Sequence, residues 1–151
     1  MNSIPSPLPK STDDWTELAI KQAGADKAPR VTPDDLKANI VGEFYFTAAE
    51  GVDGADIAVL RAQDQTAPLT LAPIADDPHV WRTGDVGPLH LLTFCVLVLK
   101  NGFTVTGESA CASPENFNAE IGKKIARENA VAKVWPLMGY ALKERLAGEQ
   151  A

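Results

Sequence analysis

The sequence predicts an α+β domain built around an antiparallel sheet, and three features carry that prediction. Thr93 to Lys100 and Phe103 to Ser109 are strand-length runs joined by Asn101-Gly102, a dipeptide that tolerates the positive φ of a tight hairpin turn. Thr32-Pro33-Asp34-Asp35 and Ser113-Pro114-Glu115-Asn116 both read as helix starts, a capping hydroxyl followed by proline and acids. The 151 residues are 45% hydrophobic and 23% charged, ordinary content for one domain that buries a core without disulfides or metals.

Residues 1–10 hold three prolines within Ile4-Pro5-Ser6-Pro7-Leu8-Pro9 and predict a flexible Pro-rich arm, since proline cannot keep a helical ladder. Residues 11–148 form the single α+β domain. After Ser11-Thr12-Asp13-Asp14, helical spacing of Trp15, Leu18, Ala19 and Gln22 with Gly24 beyond predicts a short amphipathic helix. A second helix is expected from Pro33 to about Ala48, where Leu36, Ile40 and Phe44 recur every fourth residue as a core stripe. Residues 53–88 are rich in Gly, Pro and Asp, and read as an irregular insertion with short strands at Ile57-Ala58-Val59-Leu60 and Leu69-Thr70-Leu71. Asp76-Asp77-Pro78-His79 in that stretch falls short of a metal-ligand set.

A two-residue turn at Asn101-Gly102 sets the hairpin register. Lys100 then opposes Phe103, Val98 opposes Val105, Leu97 opposes Thr106 and Cys95 opposes Glu108. The first strand is apolar on both faces, which predicts the central position in the sheet. Cys111 would lie across from Leu92, on the face that Cys95 does not use, so both cysteines are expected as free structural thiols.

From Ser113 a long helix is expected, with Phe117, Ile121, Ile125, Val131, Val134 and Trp135 on the packed side and Lys123, Lys124, Arg127 and Lys133 on the other. Pro136 should kink or restart it before a last segment from Leu137 to Leu146. Trp135, Leu137, Met138, Tyr140 and Leu142 form an apolar cluster denser than one helical stripe requires. They are the candidate interface of a homo-oligomer.

Charge and composition exclude several functions. The net charge is −6, with 14 acids and 7 bases before Thr93 and 6 and 7 after it, a balance that opposes sequence-specific or non-specific nucleic-acid binding. No run of apolar residues is long enough to span a membrane. The expected compartment is the cytoplasm.

The ordered set Phe94 to Phe103, Gly107-Glu108-Ser109-Ala110-Cys111, Ser113-Pro114-Glu115-Asn116-Phe117 and Trp135-Pro136-Leu137-Met138-Gly139-Tyr140 resembles a family of small tailed-phage and prophage proteins, the gene-49/gene-66 product family. The resemblance covers about residues 31–52 and 89–147, and the 53–88 insertion departs from compact members. It implies a phage or prophage accessory protein acting inside the infected bacterial host. It supplies no catalytic residues.

Three functional classes follow. One is a non-catalytic protein that binds and blocks a host protein, using the acidic first half and the arm, as an anti-defence factor would. Another is a sponge for a small anionic, nucleotide-like ligand, with candidate contacts Glu108, Ser109, Ser113, Asn116, Lys123, Lys124 and Arg127 near a positive helix end. The third is an enzyme, for which no nucleophile with its base, paired carboxylates or phosphate-cradling loop is visible. The expectation is therefore no catalytic residue, metal or cofactor.

Overall fold

A computed structural model describes residues 12–63 and 84–149. The element order is α1 (Thr12–Gln22), α2 (Pro33–Asn39), β1 (Ile40–Thr47), α3 (Ala48–Gln63), β2 (Leu92–Leu99), β3 (Thr104–Ala110) and α4 (Ala119–Gly148), with 3₁₀ turns at Gly87–Leu91 and Pro114–Asn116. The sheet is antiparallel in the order β1-β2-β3. The fold is α+β, and β2 is the central strand. The expected arm at 1–10, the Leu69–Leu71 strand and Asp76–His79 lie outside the described residues.

The predicted helix from Pro33 to Ala48 is corrected: it ends at Asn39. Its start is as read, with Asp35 N–H donating to Thr32 Oγ1 and Thr32 N–H donating to the Asp35 carboxylate, and Pro33 in the first turn. From Ile40 the chain becomes a strand. Ile40-Val41-Gly42-Glu43-Phe44-Tyr45-Phe46-Thr47 is dominated by β-branched and aromatic residues, and β2, apolar on both faces, needs a neighbour on each edge to satisfy its backbone. The fourfold recurrence of Leu36, Ile40 and Phe44 was compatible with either structure. Thr47-Ala48-Ala49-Glu50 then starts α3 with a reciprocal cap, Glu50 N–H donating to Thr47 Oγ1 and Thr47 N–H to the Glu50 carboxylate. Ile57 to Leu60 is thus helical, not a short strand. Alanines and a capping box outweigh a four-residue apolar run.

The hairpin is where expected, but its register is one residue away from the prediction. Leu97 pairs with Val105, Cys95 with Gly107 and Phe94 with Glu108. The cause is the turn. Gly102 alone has positive φ, at 83°, and Asn101 keeps an ordinary conformation while its Oδ1 accepts from Phe103 N–H. Leu99 N–H donates to Phe103 O, and Gly102 N–H donates to Leu99 O. This is a three-residue loop ending in a left-handed glycine, rather than a two-residue turn with two such residues. Leu92 therefore opposes Ala110, and Cys111 N–H donates to Leu91 O instead of lying across from Leu92. Cys95 and Cys111 are free thiols.

Helix α4 lies across one face of the sheet. Its buried row is Gly122, Ala126, Ala130 and Val134, against Thr93, Cys95, Leu97, Leu99 and Val105. The expected stripe is corrected accordingly, since Ile121 is 58% exposed and Ile125 is also exposed, whereas Val131 and Trp135 are partly buried on the opposite shoulder. Small residues occupy the centre because the helix sits on the strand backbone at Gly107. A Cβ there would lie 2.2 Å from the Ala126 carbonyl oxygen and 2.3 Å from the Ala130 nitrogen.

The start of α4 is corrected too. Ser113 makes no side-chain cap, and Pro114–Asn116 is only a 3₁₀ turn. Asn118 is the cap, its Oδ1 accepting from Glu120 N–H and Ile121 N–H. The helix continues through Pro136 as a single 30-residue element, so of the two expected alternatives the structure has one long helix and not a helix pair. Ala132, whose carbonyl loses its usual donor, is exposed, as is Pro136.

Side chains of α4 also tie down both edges of the sheet. Along β3, Asn129 Nδ2 donates to Glu108 O and Lys133 Nζ to Thr106 O, each at 2.8 Å. Toward β1, the Arg127 guanidinium donates to the Glu43 carboxylate through Nε and Nη2, and Tyr45 Oη donates to the same carboxylate at 2.7 Å. Arg127 holds the Glu43 carboxyl below its ordinary value of 4.5. Burial, then the Glu43 hydrogen bond, pushes the Tyr45 hydroxyl well up.

Two predictions follow from this packing. Gly107→Ala should destabilise by roughly 3 kcal/mol because backbone on both sides cannot yield, whereas Gly139→Ala, in α4 with nothing within 4 Å of the new methyl, should stabilise by about 1 kcal/mol. Urea unfolding of the two variants checks the pair. Glu43→Gln should cost roughly 1 kcal/mol at neutral pH, since the pair is half-exposed. A lowered folded-state value means that Glu43 contributes fully above 4.5 and loses its contribution as pH falls through the folded value. The stability gap between wild type and E43Q should therefore close under acid, and a pH-independent gap would contradict the assignment.

Candidate functional site

The seven residues expected to hold an anion do not converge. Glu108 and Ser109 are adjacent in β3 and point to opposite faces of the sheet. The Asn116 amide, expected to open a helix, donates to Ser113 O in the 3₁₀ turn, and Ser113 O also accepts from Cys111 Sγ. Lys123 pairs with Glu120 at 3.1 Å, Arg127 with Glu43 at 2.8 Å, and Lys124 is exposed on α4. None of the seven lines the three clefts beside α1, α2, the hairpin turn and α4. Hairpin pairing and the true helix start at Asn118 separate what the sequence had placed side by side.

The expected interface cluster is also divided. Trp135 and Met138 pack against the core and Leu142 is half-buried, while Leu137 and Tyr140 are exposed. Spacing explains the split, because positions 135, 138 and 142 share one side of a helix and 137 and 140 do not.

The sheet face opposite α4 is the surface that sequence reasoning missed. Phe44, Phe46, Phe94, Val96 and Val98 alternate with the core residues of β1 and β2 and share this face, with Thr104 and Thr106 beside them on β3. Phe46 and Phe94 stack with ring centroids 5.6 Å apart. Gly51 in the first turn of α3 sits over the Phe46 ring, where a Cβ would be 3.3 Å from Cε2. At the other end Phe44 turns over Gly42 toward Val98 and stays 59% exposed. Val41, the extra residue at the irregularity between Ile40 and Gly42, is 60% exposed. Alternation in Phe44-Tyr45-Phe46 was the available signal, and a helical reading of that stretch hid it.

On the β3 side of this face the Glu108 carboxylate is 3.4 Å from Lys133 Nζ. Cys95 is poorly placed for chemistry, since it is fully buried and burial pushes its thiol up. Among the described residues, no group of three or more His, Cys, Asp or Glu side chains is placed to hold a metal, and no helix is long and apolar enough to cross a membrane.

Comparison with known proteins places the chain. No curated protein and no solved structure matches it. Residues 31–146 match the family described as phage protein (N4 Gp49/phage Sf6 gene 66), a span that runs from α2 nearly to the end of α4 and takes in residues 53–88. Resting on β1, the hairpin and α4 alike, that match means that the chain belongs to the phage protein (N4 Gp49/phage Sf6 gene 66) family.

Proposed function

We propose that this phage protein works by binding rather than by catalysis, and that it blocks a host protein through the open face of its sheet. The carrying observation is the apolar face itself: Phe44, Phe46, Phe94, Val96 and Val98 with Val41 at the margin, left partly uncovered on the side away from α4. Contiguous exposed aromatic surface costs solubility and is retained where it is used. Aromatic anchors at the centre of a patch also carry most of the energy in protein interfaces.

Competition with the ligand-sponge reading at the sequence-predicted residues turns on the cations. Of the three expected cations, Arg127 bonds to the sheet and Lys123 to its own helix, so an anion at either would have to displace a protein partner, while Lys124 is exposed on α4. The net charge of −6 favours a basic partner by steering encounter, while the apolar face supplies the affinity. An anti-defence role fits a small phage protein that inactivates a host factor.

A photo-crosslinking residue placed at Phe44 should capture one host protein at fixed stoichiometry in phage-infected cells, and the same residue at Lys124 should not. Equal capture from both positions, or none from Phe44, would remove the sheet face from consideration.

A further inference from the structure

The C-terminal half of α4, the segment from Arg30 to the end of α2 and the hairpin turn border an open cleft of about 700 Å³ that shares no lining residue with the exposed sheet face. Its apolar lining comes from Val31, Ala38, Met138, Ala141 and Leu142. Three cations reach it from three parts of the chain, Arg30 before α2, Lys100 at the turn and Arg145 on α4, with the carboxamides of Asn39 and Asn101 between them.

Several of these groups are positioned by the fold. Lys100 N–H donates to Asn39 O at 2.9 Å, which fastens the hairpin turn to the end of α2. Asn101 Oδ1 accepts from Phe103 N–H, so its amide nitrogen is the group left to donate. Asp35 is itself part of the lining, while the charge of Arg30 is matched by Glu17. Glu17 accepts both arms of the Arg30 guanidinium, and Asp35 accepts from Thr32 in the α2 cap. Arg145 approaches Glu149 only at 4.0 Å, with both side chains largely exposed, a contact of little strength. Lys100 and Arg145 therefore bring positive charge to the cleft of a chain whose net charge is −6.

Cations, apolar side chains and amide groups in one lining define an amphiphilic anion. The volume lies within the range of pockets that enclose small organic ligands, roughly 300–1,000 Å³. We propose that this cleft binds a free nucleoside phosphate, with the phosphate between Lys100 and Arg145, the base against Met138 and Leu142, and Asn39 and Asn101 hydrogen-bonding to the base or sugar. The nucleotide-like ligand expected from the sequence is thereby moved to residues that the sequence reading did not select.

Titration calorimetry on the full chain tests this, with AMP, GMP, CMP and UMP as probes and with inorganic phosphate, adenosine and a short oligothymidine as separate arms. At least one mononucleotide should bind roughly tenfold more tightly than inorganic phosphate or adenosine, because only it engages both the cations and the apolar lining. The double variant K100E/R145E, at two exposed positions, should lose about tenfold or more of that affinity, while K124E keeps it. Circular dichroism melting establishes that both variants remain folded. Silence from all four mononucleotides, equal binding by K100E/R145E, or phosphate binding as tightly as the nucleotides would overturn the proposal. Binding of the oligonucleotide alone would overturn it as well, in favour of a nucleic-acid backbone as the source of the phosphate.

Discussion

The close approach of α4 to β3 at Gly107 is the constraint on which the rest of the structure depends. With no side chain at position 107, helix backbone rests almost directly on strand backbone, and only small residues fit in the α4 row above the sheet. Gly122, Ala126 and Ala130 meet that requirement, and Val134 follows them in the same buried row. Interior packing tolerates little change in volume. The helix position therefore fixes where Arg127, Asn129 and Lys133 emerge, and those three residues reach the two outer strands of the sheet.

Covering one face so closely leaves the other to be explained. A three-stranded sheet with a single helix layer has an uncovered side, which is usually polar and alternates with the core residues. Here β3 follows that rule with Thr104, Thr106 and Glu108, while β1 and β2 present phenylalanine and valine. Helix α3 shelters the Phe46 end, and Phe44 remains exposed. The surface chemistry thus changes across a single sheet, which is why this face supports a reading as a contact surface. The β3 edge, whose carbonyls would otherwise invite pairing with another strand, is occupied by Asn129 and Lys133.

Charge is distributed with a similar division. Arg127, Lys123 and Lys133 looked like a solvated basic side of α4, yet they serve the fold through Glu43, Glu120 and the β3 carbonyls. The cations around the cleft come instead from segments far apart in the chain, Arg30, Lys100 and Arg145. No local motif joins them. They meet because Lys100 N–H bonds to Asn39 O and because the last turns of α4 pass beside that junction.

The sequence by itself determined the features that local chemistry decides. These include the capped start of α2 at Thr32-Pro33, the hairpin over β2 and β3, the stop after α1 at Gly24, and the central place of an all-apolar β2. Tertiary structure decided what local chemistry leaves degenerate. Ile40 to Thr47 satisfies helical spacing and strand composition equally, and only the open edge of β2 selects the strand. Asn101-Gly102 admits loops of two or three residues, and the choice shifts every pair in the ladder by one. Ile121 and Ile125 were the more hydrophobic choice for the buried side of α4, but Gly107 brings the backbones too close for them. Local propensity ranks conformations by fractions of a kcal/mol per residue, whereas strand pairing and backbone contact either fit or clash, and that difference in scale is why tertiary structure had the final say.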